Sequence, residues 1–205
     1  MEKHSLIAFD LDLTLLDTLE TSKLAYRHAF ESIGKTFDDD TVVHNLSLPL
    51  ADTFANIGDP TLDYKTFFDA FISKAAETFL DGSHFYDDAI DAIKHLKADG
   101  KTLAIVTNRP MPVVLLALEK AGLSSYFSSI ITSDKISKLK PNPDPIYMCL
   151  EETGFKKEDM VYIGDARNDW MAAVNTGVDF IAVERYNNCA FPAKKKIENL
   201  AELTE

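Results

Sequence analysis

The sequence predicts an α/β fold: a parallel sheet flanked by helices, with a small α-helical cap inserted after the first strand. Three observations predict it. From residue 86 onward, apolar β-branched runs alternate with stretches of helical periodicity, the pattern of right-handed crossovers and a sheet covered on both faces. A separate apolar run, Leu6-Ile7-Ala8-Phe9, stands near the start of the chain. Between the two, residues 17–85 read as nearly all helix and loop. The expected division is a core of residues 1–16 and 86–205 and a cap of residues 17–85.

Each element follows from local pattern. Leu6–Phe9 is short, apolar and β-strand-like. Tyr26, Ala29, Phe30 and Ile33 recur at helical spacing and stop at Gly34. Asp17 and Thr18, just ahead of that helix, are expected to cap it. Phe67, Phe68, Phe71, Ile72 and Ala75 form a second helical stripe, expected to be cap core rather than ligand pocket. A third, Ala89, Ile90, Ile93 and Leu96, ends at Gly100. A strand over 103–107, a helix from Val113 to Ala121 ending at Gly122, and a short strand over 129–132 come next. After another helix come a strand over 161–164, a helix containing Ala172-Ala173-Val174 before Gly177, and a strand over 180–183.

Bulk properties exclude several classes. The 205 residues carry 33 acidic and 21 basic side chains, for a formal charge of −12. Such an excess of acid argues against general nucleic-acid or anionic-membrane binding, which relies on Lys and Arg. Cys149 and Cys189 are too few and too scattered for a disulfide framework or a zinc site. His28, His44, His84 and His95 show no metal-ligand spacing. No apolar run approaches membrane-spanning length, and the N-terminus enters the first strand without a signal-peptide pattern. The expectation is a cytoplasmic protein, a monomer or small homo-oligomer.

The chemistry concentrates where strands end. Asp10 and Asp12 follow the first strand two residues apart, so extended backbone turns both to one side. Like charges that close need a cation, a shared proton or open water; an isolated pair is equally a solvated acidic turn. The pair is not isolated. The strand at 103–107 ends in Thr107-Asn108, and that at 161–164 ends in Gly164-Asp165-Ala166-Arg167-Asn168-Asp169. Between them Lys138-Leu139-Lys140-Pro141-Asn142-Pro143 supplies lysines flanked by prolines. Ligands of parallel sheets bind beyond the carboxyl ends of the strands. Taken singly, each group has a structural rival. Thr107-Asn108 also suits a turn, Lys138 competes with Lys140, Asp165 and Asp169 suit a helix N-terminus, and Arg109 is either solvated or a substrate contact.

In order and spacing these groups resemble the haloacid dehalogenase-like superfamily, specifically its phosphatases, whose motifs run D-x-D-x-T, Ser/Thr, Lys and G-D-x-x-x-D. The resemblance spans nearly the whole chain. Its nearest members are phosphoglycolate phosphatase-like, with a G-D-x-R-N-D block similar to residues 164–169. One departure is Leu13, where many members have Gly.

The resemblance implies a Rossmann-like core with the first strand central, between the Thr107 strand and the Asp165 strand. It implies Asp10 as the nucleophile that forms an aspartyl-phosphate, and Asp12 as the acid and base for proton transfer. Thr107 and the Asn108 amide would hold the transferring phosphoryl group, and Lys140 would neutralise it and orient Asp10. Mg2+ would be held by Asp10, the main-chain carbonyl of Asp12 and Asp165, with Asp169 behind them or acting through water. Thr14 would support the loop that carries Asp12.

The implied partner is a small phosphorylated metabolite, phosphoglycolate-like, with a sugar phosphate, nucleotide or pyrophosphate as alternatives. Dehalogenase relatives lack the second acid, which is present here as Asp12. Sugar phosphomutases of this shape carry a His where Ser22 stands, and an Arg in the loop matching Asn45–Asp52, which here holds neither Lys nor Arg. The second absence also weakens phosphoglycolate itself, whose carboxylate wants a cation, although Lys23 or Arg27 could supply one. A non-catalytic binding protein on this fold is the alternative from another class.

Overall fold

A computed structural model describes residues 3–38, 50–186 and 191–204. Within the loop over 45–52, residues 45–49 lie outside the described residues, as do His44 and Cys189. Six strands form one sheet in the order β5-β4-β1-β6-β7-β8, with β1 Leu6–Phe9, β4 Thr102–Val106, β5 Phe127–Ile131, β6 Met160–Gly164, β7 Asp179–Val183 and β8 Lys196–Ile197. Every neighbouring pair is parallel. The first strand is therefore central. Phe9 lies opposite Ile105 on one side and Ile163 on the other.

Side-chain alternation explains why β1 is apolar at every position. Ile7 and Phe9 join one core with Leu103, Ile105, Val161 and Ile163. Leu6 and Ala8 join the other with Ala104, Val106, Met160 and Tyr162. Both faces are buried, so the strand has no polar face to show. Helices α4 Asp87–Ala98 and α5 Met111–Lys120 supply the first core, and α6 Asp144–Thr153 and α7 Arg167–Thr176 the second. Helix α7 ends at Gly177, whose φ of 81° is the left-handed conformation that closes a helix without a Cβ clash. The strand β8 was not expected, since two residues carry too little periodicity to be read.

Residues between β1 and α4 form α1 Leu19–Ser32, α2 Leu50–Ala55 and α3 Tyr64–Gly82. A third apolar cluster, with Tyr26, Ala29 and Phe67 buried and Phe30, Phe54 and Phe71 packed on them, holds these helices to one another. The chain leaves and re-enters the sheet region through a two-stranded antiparallel ribbon, β2 Leu16–Asp17 against β3 His84–Phe85. The capping expectation is corrected in part. Asp17 Oδ1 accepts the Leu19 N–H at 3.1 Å, whereas Thr18 makes no side-chain cap because its hydroxyl is buried without a partner. No helix among the described residues is long and apolar enough to cross a membrane.

Leu13 takes φ 56°, the left-handed region that disfavours a Cβ. Its main chain donates to Leu16 O at 2.7 Å, which closes the loop that follows Asp12. The side chain is 4% exposed, and magnitudes decide what a glycine would do. Relief of the left-handed strain is worth about 1–2 kcal/mol. Losing the buried leucine costs about 1.5–3 kcal/mol, and the freer unfolded glycine chain costs a further 0.5–1 kcal/mol or so. Leu13→Gly is therefore expected to destabilise the protein by about 1 kcal/mol in urea denaturation; a gain in stability would show that strain outweighs burial at this position.

Candidate active site

The carboxyl edge of the sheet gathers groups from distant parts of the chain. Asp10 leaves the end of β1, its N–H held by Ile163 O at 2.8 Å. Lys140, from the loop between β5 and α6, reaches under that edge with its side chain only 4% exposed. Its ammonium donates to Asp10 Oδ1 at 2.6 Å, Asp169 Oδ1 at 2.6 Å and Tyr162 Oη at 2.9 Å. Three partners match the three protons of an ammonium. Lys138 points elsewhere, to Asp144 at 3.8 Å, so the structure places Lys140 beside the carboxylates.

Asp169 is positioned as tightly. Its Oδ2 accepts the Ala166 N–H at 3.0 Å across the first turn of α7. A Cβ on Gly164 would sit 2.6 Å from Asp169 Cβ, Cγ and Oδ2. The glycine thus exists to let this carboxylate fold back against the strand end. Thr14 Oγ1 donates to Asp165 Oδ1 at 3.3 Å, which ties the first acidic loop directly to the last. Thr107 is buried, and its Oγ1 accepts the Arg109 N–H at 3.2 Å. The Asn108 side chain spans to Lys140, donating to its carbonyl at 3.2 Å and accepting its N–H at 3.1 Å. That side chain therefore fixes the lysine loop to the end of β4.

Carboxylate oxygens of Asp10, Asp165 and Asp169 all lie within 4.8 Å of one another, and all three residues are buried. Three ionised carboxylates against one lysine leave an excess of two negative charges. Burial, the charge of Asp169 and that of Asp12 push Asp10 up to about 7, although Lys140 opposes them. Burial, Asp169 and Asp10 hold Asp165 well above the usual carboxylate range. Burial alone would lower Lys140, but Asp10 and Asp169 outweigh it and hold the ammonium above its ordinary value. An all-oxygen donor set with uncompensated charge fits a hard divalent cation.

Asp12 lines the same small cavity as Asp10 and Asp165 but is held by a different cation. Both its oxygens accept from Arg109, with Nε to Oδ2 at 2.9 Å and Nη2 to Oδ1 at 2.8 Å. The guanidinium in turn lies 4.5 Å from the centre of the Phe79 ring on α3. Arg109 is thus a structured partner, which the sequence left open. Two further residues escaped sequence reasoning. Tyr162 sits inside an apolar strand, where its hydroxyl gives no periodic signal. Arg185 donates to Asp88 at 2.9 Å and to Thr14 O at 3.1 Å, and its guanidinium covers Tyr86 at 3.7 Å; only the fold brings these together.

The chain is similar to several known proteins. A family model described as haloacid dehalogenase-like hydrolase matches residues 7–183. The pyrophosphatase PpaX of Oceanobacillus iheyensis is 30% identical over 179 residues, 86% of this chain and 82% of that protein. A phosphoglycolate phosphatase of Colwellia psychrerythraea is 30% identical over 193 residues, 89% of this chain and 85% of its own. Among solved structures, a haloacid dehalogenase-like family hydrolase of Streptococcus pneumoniae superposes with a TM-score of 0.83 at 21% identity, covering 99% of this chain and 98% of the other. CbbY of Rhodobacter sphaeroides, crystallised with phosphate, gives 0.77 at 22% identity, covering 98% and 96%. At those identities the likeness is one of fold.

Two outcomes are expected from the site's geometry. An unfolded aspartate titrates near about 3.9, whereas Asp10 in the fold titrates at about 7. Between those values the folded chain binds more protons, so its stability falls as pH rises. Without divalent cation, Tm should climb as pH is lowered from about 8 toward about 6, and magnesium should flatten the trend. An equal slope in Asp10→Asn would remove Asp10 as its source. Gly164→Ala should cost about 1–3 kcal/mol through overpacking against Asp169, measured by denaturant unfolding; an unchanged midpoint would mean that Asp169 yields freely.

Proposed function

Because the chain belongs to the haloacid dehalogenase-like hydrolases, we propose that it is a magnesium-dependent phosphatase acting on a small phosphomonoester through an aspartyl-phosphate. The observation that carries this is the buried Lys140 ammonium held 2.6 Å from both Asp10 and Asp169 at the sheet's carboxyl edge. Asp10 attacks phosphorus in line and the leaving alcohol departs; water then cleaves the acyl phosphate. Lys140 fixes the direction of the attacking carboxylate. Thr107 and the Asn108 main chain, at the end of β4, hold the phosphoryl group as it transfers.

Asp12 gives a proton to the leaving alcohol and takes one from the attacking water. To do so it must release Arg109, since both its oxygens are engaged by that side chain. Magnesium would be held by Asp10, Asp165 and the Asp12 carbonyl, with Asp169 supporting them, and it supplies the positive charge that lets two anions meet. Residues 17–85 act as a cap over this edge. The relatives named above for pyrophosphate and phosphoglycolate support a small phosphorylated metabolite as substrate. A location in the cytoplasm belongs to the same reading, supported by a sequence with only two cysteines, of which Cys149 is a buried free thiol.

Hydrolysis of a generic aryl phosphate should require magnesium and be lost on chelation. Asp10→Asn should keep the fold, by circular dichroism, and lose turnover by at least about 10³-fold. A folded variant with near-normal hydrolysis would exclude Asp10 as the nucleophile.

A further inference from the structure

Two cavities meet at Asp12 and Arg109, which line both. The inner one, about 150 Å³, is bounded by Asp10, Asp165, Thr18 and Tyr26. It has room for a phosphoryl group. The outer one, about 440 Å³, is walled by Phe71, Ile72, Ala76 and Phe79 of α3 and by Pro110 and Val113 at the start of α5. Its size and apolar wall suit the rest of a substrate rather than a second phosphoryl group.

Charge in the walls decides what that rest is. Among the described residues, Arg109 is the only Lys or Arg that lines either cavity, and it bonds to Asp12 and lies on Phe79. Residues 39–49 and 187–190 contain neither Lys nor Arg, and His44 is their one basic side chain. A second anion seated here would face Asp12. Proton transfer frees Arg109 from Asp12, but that guanidinium also lines the inner cavity and has the phosphoryl group there to pair with, so a second anion would have no cation of its own. An anion taken out of water without a partner of its own is strongly disfavoured. Asn168 also lines the outer cavity, and its side-chain carbonyl oxygen is buried without a hydrogen-bond partner. That amide carries no charge to pair with a carboxylate and has an acceptor to offer a neutral donor.

We infer that the substrate is a phosphomonoester of an uncharged, mainly apolar alcohol, its body seated against Phe71, Ile72 and Phe79, and not a compound with a second anionic group. The inference rests on the reading of the inner cavity as the phosphoryl site. It departs from the substrates named for the relatives, which carry their second charge within a few atoms of the phosphoryl group.

The test pairs turnover with binding. Benzyl phosphate and phosphoglycolate are hydrolysed with magnesium, and the non-hydrolysable benzylphosphonate and phosphonoacetate are titrated calorimetrically under the same conditions. We expect benzyl phosphate to exceed phosphoglycolate in kcat/KM by at least about tenfold, and benzylphosphonate to bind at least as much more tightly. Ala76→Lys, which puts a cation on the outer wall away from the reacting groups, should shrink both ratios by about tenfold. Tighter binding of phosphonoacetate by wild type, or ratios unmoved in Ala76→Lys, overturns the inference. Binding as expected with no hydrolysis of any monoester would leave the inferred ligand class standing and remove the phosphatase reading.

Discussion

One buried ammonium holds the working edge of this protein together. Lys140 takes hydrogen-bond partners from β1, β6 and α7 at once, through Asp10, Tyr162 and Asp169. Without it, no ammonium would offset the mutual repulsion of the three buried carboxylates, and each would favour its neutral form more strongly. The lysine is itself held at its main chain by both polar ends of the Asn108 side chain. The order of dependence is therefore clear. Asn108 fixes the loop, the loop aims the ammonium, and the ammonium keeps opposed charges within a few ångströms of a common point. Removing one partner of such a buried group is far more disruptive than replacing the whole set.

Much of this was legible in the chain. Strand ends were readable because apolar runs stop abruptly at polar groups, and Asp10 was readable because its strand is apolar on both faces up to that residue. The five expected strands are observed to within a residue or two, whereas β2, β3 and β8, of two residues each, were not expected. The motif-bearing groups Asp10, Lys140, Asp165 and Asp169 meet at one edge. What escaped were contacts with no local signature. Tyr162 reads as another large apolar residue in a strand, yet its hydroxyl reaches Lys140, the Asp169 carboxylate and the Val106 carbonyl. Arg109 and Arg185 look like ordinary surface cations until the fold presents Asp12 to one and Asp88 to the other. The aromatic stripe over 67–71 was only half understood: Phe67 is core, while Phe71 also lines both cavities.

Asp12 and Arg109 link the two parts of the molecule in a way that neither part implies alone. The guanidinium bonds to a loop of the sheet domain and lies on Phe79, a residue of the long helix α3 that also packs into the sheet's own core. A displacement of α3 is therefore felt at the oxygen atoms of Asp12. Planarity makes arginine suited to this, since its edge binds a carboxylate while its face rests on a ring. The orientation of the Asp12 carboxylate and the position of α3 are linked through a single side chain.

The central strand also bears on how the protein is made. Leu6 is synthesised well before its neighbours in the sheet, Thr102 and Met160. Until both have been synthesised, β1 has an unpaired edge and two apolar faces with nothing to cover them, and such long-range closure is slow. The helices at 19–32 and 64–82 pack on each other through Tyr26, Ala29 and Phe67, and only Phe79 waits for the sheet core, so they can begin to assemble in the interval. The acidic cluster forms late, when Asp165 and Asp169 arrive. The nascent chain thus keeps Asp10 apart from those like charges until β1, β4, β5 and β6 have all been made.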